Sequence, residues 1–443
     1  MEPTNRTART RRLARAACVL ALAAVVTATA APAQAAPAWG PTVQVDLGPD
    51  GTRADGQSLS LGISGNGRYA LFGSSATNLL AGTAAPVYGL YVRDLRTGRI
   101  ELVSRAEDDT PLTNVSDTAG ISGDGRYIAF AAEANGAFNL YVRDRVRDRT
   151  RLLTGPWSGV HHFFQPSISA DGRYIAFMSS DADVVPGAPV TPDTRNVYVT
   201  DRVTGATRLV SVGADGQAAD GPSESPTISA DGRTVGYGSK ATNLVQAAPG
   251  DTADLLRPRR TTLYATDLRR GTTVVAGLNP DGTPGSADQV LTLSPDGRFA
   301  VYGLGAFPLP GGKSRTELFL SDLRTGRVKS LRTSANPDAI CWGSPGAAVT
   351  DDDRWVYFSG GCSDTIIRAP QARYDLYRQD LRTDRIELVS TAADGTEEDG
   401  SSTLPFVTDN GRTVLFSSVS GNLVPGDPGV VDWHVYARSL GGR

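Results

Sequence analysis

The sequence predicts an all-β protein, a seven-bladed β-propeller of four-stranded antiparallel blades, and three observations predict it. One ten-residue phrase recurs seven times along the 443 residues, a second strand-like phrase alternates with it, and no useful length of the chain carries a helical period. The first phrase reads "ISGNGRYALF" at Ile63, "ISGDGRYIAF" at Ile121, "ISADGRYIAF" at Ile168, "ISADGRTVGY" at Ile228, "LSPDGRFAVY" at Leu293, "VTDDDRWVYF" at Val349 and "VTDNGRTVLF" at Val407. Its arginines, Arg68, Arg126, Arg173, Arg233, Arg298, Arg354 and Arg412, stand 47 to 65 residues apart. The second phrase reads "LYVRDLRTGRIELVS" at Leu90 and has counterparts at Leu140, Val197, Leu263, Leu318 and Leu376; a last copy, from Val435, is cut short.

The elements follow in chain order. Residues 1–35 read as a secretory signal peptide: Arg6 to Arg15 form a basic region, Val19 to Ala28 an apolar one, and Ala33-Gln34-Ala35 a cleavage signal. The protein is therefore expected outside the cytoplasm, secreted by the general secretory route. Cys18 precedes the apolar run, which argues against a lipoprotein. No later run approaches the ~18 apolar residues that a spanning helix needs.

Residues 36–443 read as a single domain. In each unit strand a ends at Ile-Ser, Leu-Ser or Val-Thr, and Asp-Gly or Asn-Gly makes a hairpin turn. Glycine takes positive φ cheaply there, and Asp or Asn bonds its own backbone. Strand b is apolar on both faces and so is buried on both. Strand c carries Leu-Tyr-Val, and strand d follows a second short turn. The blades fall at roughly 60–106, 118–154, 166–213, 226–278, 290–333, 346–391 and 404–440. The last lacks its strand d. An orphan d-type phrase, "TVQVDLGPDGTRADG" at Thr42, matches "RIELVSTAADGTEEDG" at Arg385, so residues 43–48 are expected to complete blade seven and remove an open edge.

These phrases resemble the TolB-like, WD-like repeat propellers of exported bacterial proteins, and the resemblance covers essentially the whole mature chain. It implies the fold and is nearly silent on function. Relatives often carry Asn-Leu-Val-Pro-Gly-Asp with a second Asp before strand c; here Asn422 to Asp427, followed by Asp432, keeps that form. TolB has a further N-terminal domain for which this chain has no room, so partnership with a Tol system is not implied.

A residue repeated in seven blades points in seven directions and cannot build one site. The Asp-Gly-Arg turns and the acids after strand c are thus scaffold. Turns a–b and c–d are short and make a plain face; loops d–a and b–c are longer and variable, and their face is the expected binding surface. There "GPWSGVHHFFQPS" supplies Trp157, His161, His162 and Phe163 as candidate binding residues, with Trp342 in another d–a loop. Aromatic side chains with polar tips suit a peptide, protein or glycan ligand. Asp427 and Asp432 are the candidate Ca²⁺ ligands, although the twelve-residue calcium loop is absent. Three arginines, Arg257, Arg259 and Arg260, and the acids Glu107 to Asp109, Asp215 to Glu224 and Glu397 to Asp399, read as solvated charge.

The net charge is −3, and loss of the signal segment, with one Glu and five Arg, leaves the mature chain near −7. That argues against nucleic acid as a partner. The chain is expected as a monomer. Cys341 and Cys362 are the two mature cysteines, ten residues before and ten after the Asp351-Asp352 turn, and are expected to form a disulfide. No Gly-x-Ser-x-Gly elbow, phosphate loop or dinucleotide fingerprint occurs. The reading is a non-catalytic binding module with its ligand on the long-loop face. The alternative is a propeller enzyme, a polysaccharide lyase or glycan hydrolase, with its site at the channel mouth.

Overall fold

The structure, a computed structural model, describes residues 39–82, 86–134, 136–153, 164–192, 194–246, 261–308, 314–333, 341–362, 373–392, 394–426 and 432–441. The signal peptide, Trp157, His161, His162, Phe163, Arg257, Arg259, Arg260 and Asp427 lie outside them.

Seven four-stranded antiparallel sheets form the propeller. The chain opens on β1 (Thr42–Gln44). Blade 1 is β2 (Ser58–Ile63), β3 (Tyr69–Ser74), β4 (Gly89–Asp94) and β5 (Ile100–Leu102). Blade 2 is β6 (Val115–Ile121), β7 (Tyr127–Ala134), β8 (Ala137–Asp144) and β9 (Arg149–Leu152). Blade 3 is β10 (Phe164–Ile168), β11 (Tyr174–Ser179), β12 (Asn196–Asp201) and β13 (Thr207–Leu209). Blade 4 is β14 (Ser223–Ile228), β15 (Thr234–Ser239), β16 (Thr262–Asp267) and β17 (Thr272–Val275). Blade 5 is β18 (Ala287–Leu293), β19 (Phe299–Pro308), β20 (Ser314–Asp322) and β21 (Arg327–Leu331). Blade 6 is β22 (Cys341–Val349), β23 (Trp355–Cys362), β24 (Asp375–Asp380) and β25 (Ile386–Leu388). Blade 7 is β26 (Ser402–Val407), β27 (Thr413–Ser418), β28 (His434–Ser439) and, from the other end of the chain, β1.

The closing strand is as expected. Thr42 pairs with Arg438, Val43 with Ala437 and Gln44 with Tyr436, and the Val45 amide donates to the Val435 carbonyl. The pairing stops sooner than residue 48, because Leu47 turns away to bridge Arg53 in the following loop.

The repeated phrases explain the regularity. In the first turn the Asn66 carboxamide accepts from the Arg68 amide at 2.9 Å while Gly67 sits at φ +73°. Blade 6 has Asp353 in the glycine place, and it adopts φ +53°, a conformation that Asp tolerates better than most side chains. Second and third strands bring one aromatic pair together in every blade, with centroids 5.5 to 6.1 Å apart, stacked in six blades and tilted in blade 4. Such cross-strand pairs are worth about 0.5–1.5 kcal/mol each beyond the area they bury. Apolar clusters then fill the seams between adjacent blades, as where Leu71, Leu90 and Val92 of blade 1 meet Val115, Ile128 and Phe130 of blade 2.

Candidate functional site

The first strands of the seven blades surround a central channel with a cavity of about 570 Å³. This lies in the range of small-ligand sites. The half of each strand next to the a–b turn is uniform: Ile63, Ile121, Ile168, Ile228, Leu293, Val349 and Val407. The half toward the long loops is not, and there Leu59, Asp117, Gln165, Ser225 and Leu404 differ in size and polarity. A β-bulge interrupts the pairing of the first two strands in every blade, and Gln165, Ser225 and Leu404 sit at it with φ of 56°, 54° and 52°. Bulges re-aim side chains next to a strand. Only Phe406 among the described lining residues is aromatic.

At the plain face the channel is cinched by backbone. Neighbouring turns bond across six of the seven seams: Asn66 N–H to Gly123 C=O, Gly123 to Ala170, Ala170 to Ala230, Asp231 to Pro295, Asp351 to Asp409 and Asp409 to Gly65. Pro295 has no N–H to continue the ring. The column of these turn residues is small, Gly65, Gly123, Ala170, Ala230 and Pro295, until it reaches Asp351 and Asp409. Burial, with Asp409 next, pushes the Asp351 carboxyl up to about 6, and burial raises Asp409 too. A Cβ on Gly65 would stand 2.1 Å from the Asp409 carboxylate, so a larger residue there would need that side chain to move.

A second unrepeated cluster lies at the long-loop end of the seam between blades 6 and 7. Five blades share one turn, marked by the bridges Leu47–Arg53, Arg105–Pro111, Val212–Ala218, Leu278–Pro284 and Thr391–Glu397. The next residue is Ala54, Leu112, Ala219 or Gly285 in four of them and Glu398 in the fifth. Glu398 is only 2% exposed, which corrects its reading as solvated charge. One oxygen accepts from Ser402 at 2.5 Å, Ser420 at 2.8 Å and Ser418 at 3.2 Å. The other, Oε1, is buried without a hydrogen-bond partner. Burial pushes its carboxyl up to about 8, and the nearby Asp375 adds to this. Next to it, Asp46 and His434 form a buried pair, with Nδ1 2.7 Å from Oδ2.

Among the residues singled out from sequence, the structure pairs Cys341 with Cys362 directly across the β22–β23 ladder, and Trp342 with Gly361. Asp432 is half-buried just before β28. Among the described residues no three His, Cys, Asp or Glu side chains gather to hold a metal ion, and no helix is long and apolar enough to cross a membrane. Sequence reasoning did not bring Glu398, His434 and Asp46 together as one buried cluster. The signal was available for Glu398, which stands where the other turns of this kind have Ala54, Leu112, Ala219 and Gly285.

The architecture is that of a closed propeller with a lined channel. No protein-family model matches the sequence, and no curated protein matches it. The chain is similar in fold to an oligogalacturonate lyase in complex with manganese, at 14% identity and TM-score 0.54, over 90% of this chain and 93% of that one. It is similar also to the oligogalacturonate lyase of Vibrio parahaemolyticus, at 14% identity and TM-score 0.53, over 91% and 98%. TolB from Acinetobacter baumannii matches at 16% identity and TM-score 0.39, over 85% and 82%. At these identities the likeness is one of fold alone. The comparisons support the seven-bladed propeller fold that the TolB-like repeats implied, and no sequence family.

Proposed function

We propose that this chain is an exported, non-catalytic binding propeller that takes a peptide or protein segment into its channel from the long-loop face. The observation that carries the reading is the asymmetry of the channel. Its plain end is tied by backbone bonds across six seams, whereas its side chains diverge toward the long loops. Aliphatic and proline side chains dominate the lining, among them Leu61, Pro166, Pro226 and Pro405. That chemistry suits apolar peptide side chains better than sugar rings, which stack on aromatic faces. Trp157, His161, His162, Phe163 and Trp342 would form the rim.

The test is a peptide array and a glycan array probed with mature protein. Peptide binding is expected, weakened by about tenfold or more in Phe406→Ser and by at least ~1 kcal/mol in Trp157→Ala or His162→Ala. Binding indifferent to all three variants would place the ligand elsewhere. Glycan binding or cleavage without peptide binding would favour the enzymatic alternative.

A further inference from the structure

Blade 4 departs from the repeat on the plain face. In five blades the turn arginine clamps the acid that ends the third strand: Arg68–Asp94, Arg126–Asp144 and Arg173–Asp201 at 2.7 Å, Arg298–Asp322 at 2.8 Å and Arg354–Asp380 at 2.9 Å. Each of these arginines also lies over the aromatic residue that follows it, Tyr69, Tyr127, Tyr174, Phe299 or Trp355, 4.5 to 5.1 Å from the centroid. In blades 1 to 3 that ring also packs beneath the turn glycine of the next blade, 2.3 to 2.7 Å from where a Cβ would stand on Gly125, Gly172 or Gly232.

Blade 4 keeps both charged residues, Arg233 and Asp267, yet they do not pair. Among the described residues Arg233 reaches only Asp231 of its own turn, at 3.6 Å, and Asp267 is met by Arg270 at 3.4 Å. The ring position holds Thr234, which now stands beneath Gly297. Blade 7 also has a threonine there, Thr413, but its third strand ends in Ser439, so it keeps no acid. With the ring gone, a groove of about 490 Å³ opens between blades 4 and 5. Thr234, Val274 and Leu323 line it together with Arg233, Arg269, Arg270 and Arg324.

Three carboxylates face these four guanidinium groups, but each has one oxygen engaged by its own turn. Asp231 and Asp296 accept from the Arg233 and Arg298 amides, and Asp267 from the amides of Arg269 and Arg270. Arg324 meets Asp296 at 3.2 Å, and Arg269 acts on Asp267 at longer range, outside the close ion pairs of the described residues. The groove therefore combines apolar surface with one more guanidinium group than carboxylates. Planar guanidinium groups favour bidentate contact with carboxylate or phosphate. We propose that this groove binds a small organic anion, a flat ring bearing a carboxylate or phosphate group, with the ring where tyrosine lies in blades 1 to 3. The site is independent of the channel and lies on the opposite face.

The experiment titrates mature protein at low salt with benzoate, phenyl phosphate and the uncharged benzyl alcohol, followed by NMR or calorimetry. At least one anion is expected to bind about tenfold or more tightly than the alcohol, and to weaken as salt rises. Preference for phenyl phosphate assigns a phosphate-bearing ligand, and preference for benzoate a carboxylate-bearing one. Thr234→Tyr, which restores the ring of blades 1 to 3, should reduce binding about tenfold or more while the protein melts as the wild type does. If that variant fails to fold, Arg269→Ala on the exposed rim should give a loss of about fivefold or more. Arg173→Ala in blade 3 should leave binding unchanged. No binding of either anion, equal binding of the alcohol, undiminished binding by folded Thr234→Tyr or by Arg269→Ala, or equal loss in Arg173→Ala would each overturn the site.

Discussion

Blades 1 and 7 have the same four strands in the same order, but blade 1 is one stretch of chain and blade 7 joins its two ends. At the long-loop end of blade 1 a row of neutral residues crosses the sheet: Ser58, Ser74, Gly89 and Ser104. Ser58 bonds Ser74 at 2.9 Å, and Ser104 accepts from the Leu90 amide at 3.1 Å. The same row in blade 7 is Ser402, Ser418, His434 and Asp46, with Glu398 inserted above the serines. Where a hairpin already fixes the register, hydroxyl groups suffice. Where strands meet from opposite ends of the chain, a three-residue ladder is backed by a buried pair that fits in one register only. A one-residue slip would leave both groups buried and unpaired.

The largest effect should come from removing the closing strand. Deletion of residues 36–48 takes away β1, Val45 and Asp46 together and exposes the edge of β28. A sharp fall in melting temperature is expected, with a gain in dye binding to exposed apolar surface. An unchanged melt would show that the ring does not depend on its closure.

The buried pair comes next. His434→Ala leaves the fully buried Asp46 without its imidazole partner, at a cost of about 3–5 kcal/mol. Ser104→Ala, at the place that Asp46 holds in blade 7, should cost about 1 kcal/mol. Denaturant melts of the two variants measure the contrast, and equal losses would remove it.

Blade 6 holds its strands in a third way. Its first hairpin runs on past the row, and Cys341 faces Cys362 across the ladder. The proposed disulfide would close a loop of about twenty residues and contribute ~3 kcal/mol in the chain-entropy account. Thiol titration of unfolded, unreduced mature protein should find no free thiol, and digestion should yield one linked peptide pair. Two free thiols per chain would refute it.

The sequence carried the fold further than the site, for a physical reason. Propeller geometry repeats, so the Asp-Gly turns and apolar second strands announce themselves seven times, and even the orphan strand at Thr42 could be matched to its gap. A site is written once. Glu398 stood among the acids Glu397 and Asp399 and read as solvated charge, because burial depends on which neighbour the turn packs against. Alignment of the repeats would have separated it, since Ala54 and Ala219 hold its place in blades that expose no such acid. The groove between blades 4 and 5 was equally hidden: Arg233 and Asp267 obey the repeat, and Thr234 between them breaks it.

The smallest expected effect is also the one with a distinctive pH signature. Burial raises the Glu398 carboxyl from an ordinary 4.5 to about 8 in the folded chain. Below pH ~4.5 the group is protonated in both states and costs nothing. As pH rises toward 8 the unfolded chain releases its proton and the folded chain keeps it, so stability falls, by at most about 1.4 kcal/mol per pH unit, and levels off above the folded value. Arg438, whose own value this burial depresses, and Arg373 lie close enough to temper the fall. Glu398→Ala restores the residue that leads into blades 1 and 4, where Ser58 and Ser74, or Ser223 and Ser239, bond each other directly at 2.9 Å. The variant should therefore lose about 1 kcal/mol of hydrogen bonding at pH 4 and gain about 1–3 kcal/mol over wild type at pH 8. Denaturant melts across that range decide the matter. Parallel pH profiles for the two proteins would mean that Glu398 is ionised in the folded chain, with Arg438 or Arg373 as its counter-charge, and that the two seams differ in shape rather than in charge.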